Sequence, residues 1–274
     1  MAERAKHTIK EFPASRLATL DVGYLGLRKH HVKALLEVDV TRARQLLKAY
    51  RRRRKTELSF NAWFVKCVSQ AVAENRTAHA IRQGRNKLVV FEDVDISLIV
   101  EKELGGEKVP LPVVLRQVNE KSFAAIQAEI KAAKEQTVQD TRDYVLGGNP
   151  RSRAMRLYLA LPQFLRLAAW KFILRRPFLV KQLSGTVVVT SVGMMGIGAG
   201  WIIPVSFLPL CFALGAVVKK PGVCQDRVEI REYLHLTVLM DHDVIDGAPA
   251  ARFVARLTSL LESGYGLDIE EPVN

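Results

Sequence analysis

The sequence predicts an α/β protein in which helices alternate with extended strands. Three observations lead there. Apolar residues recur at helical spacing in several segments, runs rich in Val and Ile lie between them, and Gly and Pro mark the joints. A hydrophobic content of 49% over 274 residues can bury a full core. We read residues 1–274 as one domain carrying an atypical basic and apolar insert at 151–182.

Asp39 or Thr41 can cap a first helix, in which Val40, Ala43, Leu47 and Tyr50 recur and which ends in the basic run Arg51 to Lys55. From Ser59 a second helix carries Phe60, Trp63, Phe64, Cys67, Val68, Ala71 and Val72 as one apolar stripe. Leu88 to Val100 reads as extended chain, Gly105-Gly106 as a turn, and Val109 to Leu115 as the following strand. A third helix spans about Ser122 to Gln136, with Phe123, Ile126 and Ile130 on one side. Gly147-Gly148-Asn149-Pro150 breaks the pattern and opens the insert. The apolar residues of the insert lie almost all round a helix, which calls for burial on more than one side.

Gly185 to Gly193 reads as a strand through Val187, Val188 and Val189. The stretch from Gly193 to Val218 has no charge and is long enough to span a bilayer, yet Gly196, Gly198, Gly200, Pro204, Pro209 and Gly215 interrupt it, so turns and short buried strands are expected instead. Tyr233 to Met240 is a strand and Pro249 to Leu261 a helix, ended by Ser263-Gly264.

The formal net charge is +13, and no acidic residue falls between Asp143 and Asp226. Such a local positive field attracts polyanions: nucleic acid, anionic lipid, an acidic partner or a phosphorylated cofactor. The run at Arg51 is read as a solvated helix end. Cys67, Cys211 and Cys224 are odd in number and widely spaced, which predicts neither a disulfide framework nor a zinc site and points to a reducing, cytoplasmic compartment. The N-terminus has no apolar run after its charges, so no secretory export is expected. His30 and His31 are adjacent and make a poor metal pair, and no metal is expected.

Chemistry concentrates at Asp241-His242-Asp243-Val244-Ile245-Asp246-Gly247, whose kernel is His-x-x-x-Asp-Gly. A strand-end histidine can turn one ring nitrogen to a cleft while the backbone fixes the other. Its ordinary pKa of about 6.5 suits a base at neutral pH. A thiol, with a pKa of about 8.5, needs such a proton acceptor before it attacks. Alone, the kernel equally fits a structural joint: Asp246 at a helix N-cap, Gly247 in a tight turn, Pro249 in the first helical turn.

With its flanks, Leu236 to Leu261 resembles the signature of the dihydrolipoyl acyltransferase catalytic domains, the cores of 2-oxo acid dehydrogenase complexes. Val38-Asp39-Val40-Thr41, Phe64-Val65-Lys66, the strand pair Val94 to Val114, and Gly185-Thr186-Val187-Val188-Val189-Thr190-Ser191-Val192-Gly193-Met194-Met195-Gly196 resemble further family motifs in the same order. The resemblance implies a chloramphenicol-acetyltransferase-like two-layer sandwich with a mixed sheet, assembled as a homotrimer or a larger assembly of trimers, with active sites between subunits. It implies coenzyme A or acyl-CoA as substrate and His242 as general base. It also implies that Asp246 orders the loop, and that Thr190 stabilises the oxyanion with Ser191 as second choice. A chloramphenicol acetyltransferase proper shares the kernel but fits the other motifs less well.

Three departures shape the expectations. The family's Asp-His-Arg is here Asp241-His242-Asp243, and a nearby Asp243 carboxylate would raise the histidine pKa. The length leaves no room for a lipoyl-bearing or peripheral-subunit-binding domain, so no lipoyl group is expected on this chain and a separate acyl carrier is implied. Segment 151–182 replaces a short charged stretch; packing over the trimer or the substrate entrance is set somewhat ahead of an anionic membrane surface. Two rival readings follow: a catalytically weakened, CoA-binding scaffold trimer, or an oligomer that associates with membrane through 151–182. Nucleic acid ranks behind these.

Overall fold

In chain order the elements are α1 (Ala14–Gly26), β1 (His31–Asp39), α2 (Thr41–Arg54), α3 (Phe60–Glu74), β2 (Ile81–Gln83), β3 (Lys87–Val89), β4 (Ile96–Leu104), β5 (Glu107–Leu115), α4 (Phe123–Glu135), α5 (Gln163–Leu174), α6 (Pro177–Ser184), β6 (Val187–Ser191), β7 (Leu210–Cys224), β8 (Arg227–Asp241) and α7 (Gly247–Ser263). The computed structural model describes residues 7–8, 12, 14–54, 58–104, 107–135, 157–158, 160–192 and 198–267. Residues 105–106, 147–150 and 193–196, where turns are expected, lie outside the described residues, as do Lys55 and residues 151–156 and 159 of the insert.

Six strands form a mixed sheet in the order β1-β8-β7-β6-β4-β5, with β6 parallel to both β4 and β7 and the other pairs antiparallel. Alternation along each strand separates two faces. Leu234, Leu236, Val238 and Met240 of β8, with Val187 and Val189 of β6, join the core that α3, α4 and α7 cover. The stripe expected on α3 is that core: Trp63, Phe64, Cys67, Val68, Ala71 and Val72 are all fully buried. Ser59 caps α3 by accepting from the amide of Ala62 at 3.3 Å. Of the two candidates before α2, Asp39 is the one that serves the helix start, accepting the Thr41 amide at 2.9 Å.

On the opposite face, Val188 packs against a second cluster of Ile81, Phe91, Trp170, Val180, Phe207 and Leu208. The insert is anchored there. Arg166 on α5 donates through Nε to Asp21 Oδ2 at 2.7 Å and through Nη2 to Oδ1 at 3.1 Å, and Tyr158 donates to the same carboxylate at 3.1 Å. Both charges are buried and mutually satisfied, as charges removed from water must be. Arg116 bridges the Asp95 carboxylate to the Lys181 and Gln182 carbonyls at the end of α6, where a cation suits the helix dipole. Within a single chain, the described part of α5 is buried on one side. α5 buries Arg166 and Trp170 and leaves Phe164, Leu165 and Phe172 exposed.

Two strands differ from expectation. The extended stretch from Leu88 ends at Val89 and resumes at Ile96, because Asp93 and Asp95 turn into ion pairs with Lys181 and Arg116. β7 and β8 run far beyond the core as a hairpin, closed by Gln225 and Asp226, both with positive φ as in a primed two-residue turn. Its outer half is exposed, so it carries no burial pattern to read. The uncharged stretch expected to avoid a bilayer is irregular chain from 198 to 209 and then β7. Among the described residues no helix is long and apolar enough to cross a membrane.

Candidate active site

His242 follows β8 directly, at the joint with α7. Its amide donates to the His30 carbonyl at 2.9 Å, which fixes the loop to the residue preceding β1. The ring is exposed and neither nitrogen is held by a described residue, so the expected backbone tether on one nitrogen is absent. The imidazole borders an apolar groove of about 300 Å³ between edge strand β1 and α7, lined by Val32, Ala34, Met240, Ile245 and Val254 among others.

Among the described residues, Asp241 supplies side-chain bonds that hold this loop. Asp241 is 1% exposed and its carboxylate accepts from Lys29 Nζ at 2.6 Å and from the Asp243 amide at 3.3 Å. Its own carbonyl accepts from the amides of Val244 at 2.9 Å and Ile245 at 3.2 Å. Asp246 stands at the N-cap of α7 with extended backbone, but its side chain is exposed and makes no capping hydrogen bond. The physical reason is position. Asp241 is the last strand residue and faces inward, whereas Asp246 has already emerged into solvent.

Asp243, expected to act on His242, is engaged elsewhere. Its carboxylate lies 3.0 Å from His30 Nδ1 and 3.7 Å from Arg82. The hydrogen bond with His30 holds it below the usual carboxylate range. His31 goes a separate way, its Nε2 lying 2.9 Å from the Leu208 carbonyl, and burial lowers its pKa. The sequence had marked this histidine pair only as a poor metal site. Among the described residues no group of three or more His, Cys, Asp or Glu side chains is placed to hold a metal ion.

The hydroxyl residues lie far from His242 within one chain. Register pairs Thr190 with Ala213 and Ala213 with Thr237, so His242 is about 17 Å further along β8 and about 10 Å across two strands. Thr190 and Ser191 also point to opposite faces. Thr190 shares the face of Ala213 and Thr237, whereas Ser191 lines a second groove of about 300 Å³ with Arg44, Phe60, Asn61, Leu214 and Gly215. Arg44 and Asn61 were not singled out from sequence, and Phe60 only as part of the α3 stripe. Nothing in helical or strand periodicity marks a residue as bordering a groove built from distant segments.

The family model for the 2-oxoacid dehydrogenases acyltransferase (catalytic domain) matches residues 28–143 and 180–267. The lipoamide acyltransferase component of the branched-chain alpha-keto acid dehydrogenase complex of Bacillus subtilis (strain 168) is 26% identical over 276 residues, covering 92% of this chain and 54% of that protein. The chain thus spans about half the length of that curated relative. A probable dihydrolipoamide acetyltransferase from Listeria monocytogenes 4b F2365 superposes with TM-score 0.69 at 18% identity, covering 99% of this chain and 100% of that one. A chloramphenicol acetyltransferase superposes with TM-score 0.53 at 12% identity, over 94% and 100%. These two structures establish the likeness of fold.

Proposed function

Because the chain belongs to the family of 2-oxoacid dehydrogenase acyltransferase catalytic domains, we propose that it moves acyl groups between a thioester and a thiol, with coenzyme A as donor or acceptor. His242 is the general base. A ring nitrogen takes the proton from the acceptor thiol, and the thiolate attacks the thioester carbonyl carbon. The tetrahedral oxyanion accepts a hydrogen bond from a β6 hydroxyl, Thr190 before Ser191. Collapse breaks the bond to the departing sulfur, which recovers the proton from the imidazolium. Asp246 enters as a residue of the same loop.

The observation that carries this reading is the separation of His242 from Thr190. His242 is exposed past the end of β8 and Thr190 is half-buried two strands away, so one copy keeps this base and this oxyanion donor apart. Two copies supply both where the His242 end of one meets the β6 end of another. A ring of three related by such a heterologous contact closes on itself and makes three sites. A separate acyl carrier bearing a lipoyl group, outside these 274 residues, is the second thiol in this scheme. The compartment proposed is the cytoplasm. The engagement of Asp243 by His30 and Arg82 favours turnover over the weakened scaffold, since its charge is already drawn away from the base.

Complementation tests the reading directly. His242→Ala and Thr190→Val, each alone, should release little thiol from acyl-CoA. Mixed and reassembled, they should regain about a quarter of the parent rate, the share of intersubunit sites left with both groups intact. Full activity in His242→Ala would remove the assignment, and dead mixtures would place base and hydroxyl outside a shared site.

A further inference from the structure

The family match stops at residue 143 and resumes at 180, and α5 lies wholly in the gap. Its orientation is set by the buried Asp21–Arg166 pair and by Trp170, which packs on Phe207 with ring centroids 5.0 Å apart. With that side held, Phe164, Leu165, Ala168, Lys171, Phe172 and Arg175 fall outward within an arc of about 120°, at about 100° per residue. Phe178 continues the surface at the start of α6. The exposures of Phe164, Phe172 and Phe178 are 69%, 54% and 69%, so more than half of each residue's surface meets water. Arg176 lies over the Phe172 ring at 3.9 Å from its centroid.

We infer that this face docks the protein onto an anionic membrane surface. The charge that this segment itself contributes is of one sign: Lys171, Arg175 and Arg176 interleave with the rings, and the sequence holds no acidic residue from 144 to 225. Cations beside aromatic and aliphatic side chains, on one side of a helix whose other side is anchored, match the two attractions that hold a protein in the headgroup layer. The rings enter the acyl boundary and the cations meet lipid phosphates. The face borders neither the His242 groove nor the Ser191 groove. It also lies away from the His242 groove. α5 packs toward Val188, on the sheet face opposite Met240 and Ala34, which border the His242 groove.

Vesicle flotation of the full chain tests this. The protein should float with vesicles of phosphatidylcholine mixed with phosphatidylglycerol, not with phosphatidylcholine alone, and should release as salt shortens the reach of charge. The triple variant Phe164→Ser, Phe172→Ser, Phe178→Ser and the double variant Arg175→Glu, Arg176→Glu should each lose roughly tenfold or more in vesicle affinity. Both should keep the parent's oligomeric mass, melting temperature and thiol-release activity. Equal flotation with neutral and anionic vesicles overturns the proposal, as does undiminished binding by both variants. A fall in oligomeric mass of the Phe variant without lipid overturns it too, because the face would then be a contact between copies.

Discussion

The Asp241 carboxylate and the Lys29 ammonium meet at 2.6 Å directly beneath the loop that carries His242. Asp241 is buried and Lys29 only partly so. Removing the lysine leaves a buried carboxylate short of its cation, whereas removing the carboxylate leaves a lysine that can turn to water. Asp241 also receives the Asp243 amide, so it holds the backbone on both sides of His242.

If His242 is the base as proposed, Asp241→Asn should lower kcat by roughly tenfold to a hundredfold with KM little changed, because it displaces that side chain and not the substrate. Lys29→Met should destabilise the fold by about 1–3 kcal/mol, a value discounted for the partial exposure of Lys29. Steady-state kinetics and denaturant unfolding read the two effects separately. Equal kcat in Asp241→Asn and parent would remove its positioning role.

Thr190 and Ser191 face opposite sides of β6, so only one can address a given substrate carbonyl. Thr190→Val should cost about 10²-fold in kcat. Ser191→Ala should leave kcat within a few-fold and alter, at most, binding in the groove shared with Arg44 and Asn61. The reverse ranking would assign the oxyanion to Ser191.

His79 is fully buried between Thr186 Oγ1, 2.7 Å from its Nδ1, and the Phe91 carbonyl, 3.2 Å from its Nε2. Burial pushes its pKa down to about 4. The unfolded chain protonates it near 6.5, so stability is full above that pH, declines as pH falls toward about 4, and levels off below. His31, lowered by burial, adds in the same direction. The His79 contribution amounts to roughly 3 kcal/mol. Unfolding curves between these pH values should show most of that slope vanish in His79→Gln; an unchanged slope would exclude His79 as its source.

Local periodicity determined a large part of this protein. The stripe of α3, the extent of α7, the inner half of β8 and the position of His242 at a strand-to-helix joint were legible because each depends on residues a few positions apart. The unforeseen features join residues distant in sequence. Lys29 and Asp241 are 212 positions apart, and Asp21 and Arg166 are 145 apart. No repeat or spacing announces such pairs, nor that packing buries the Asp241 carboxylate and leaves Asp246 exposed. Tertiary structure likewise decided that Thr190 and His242 stand apart within one chain, because strand order and register, set by side-chain burial across the whole domain, fix what each chain can bring together.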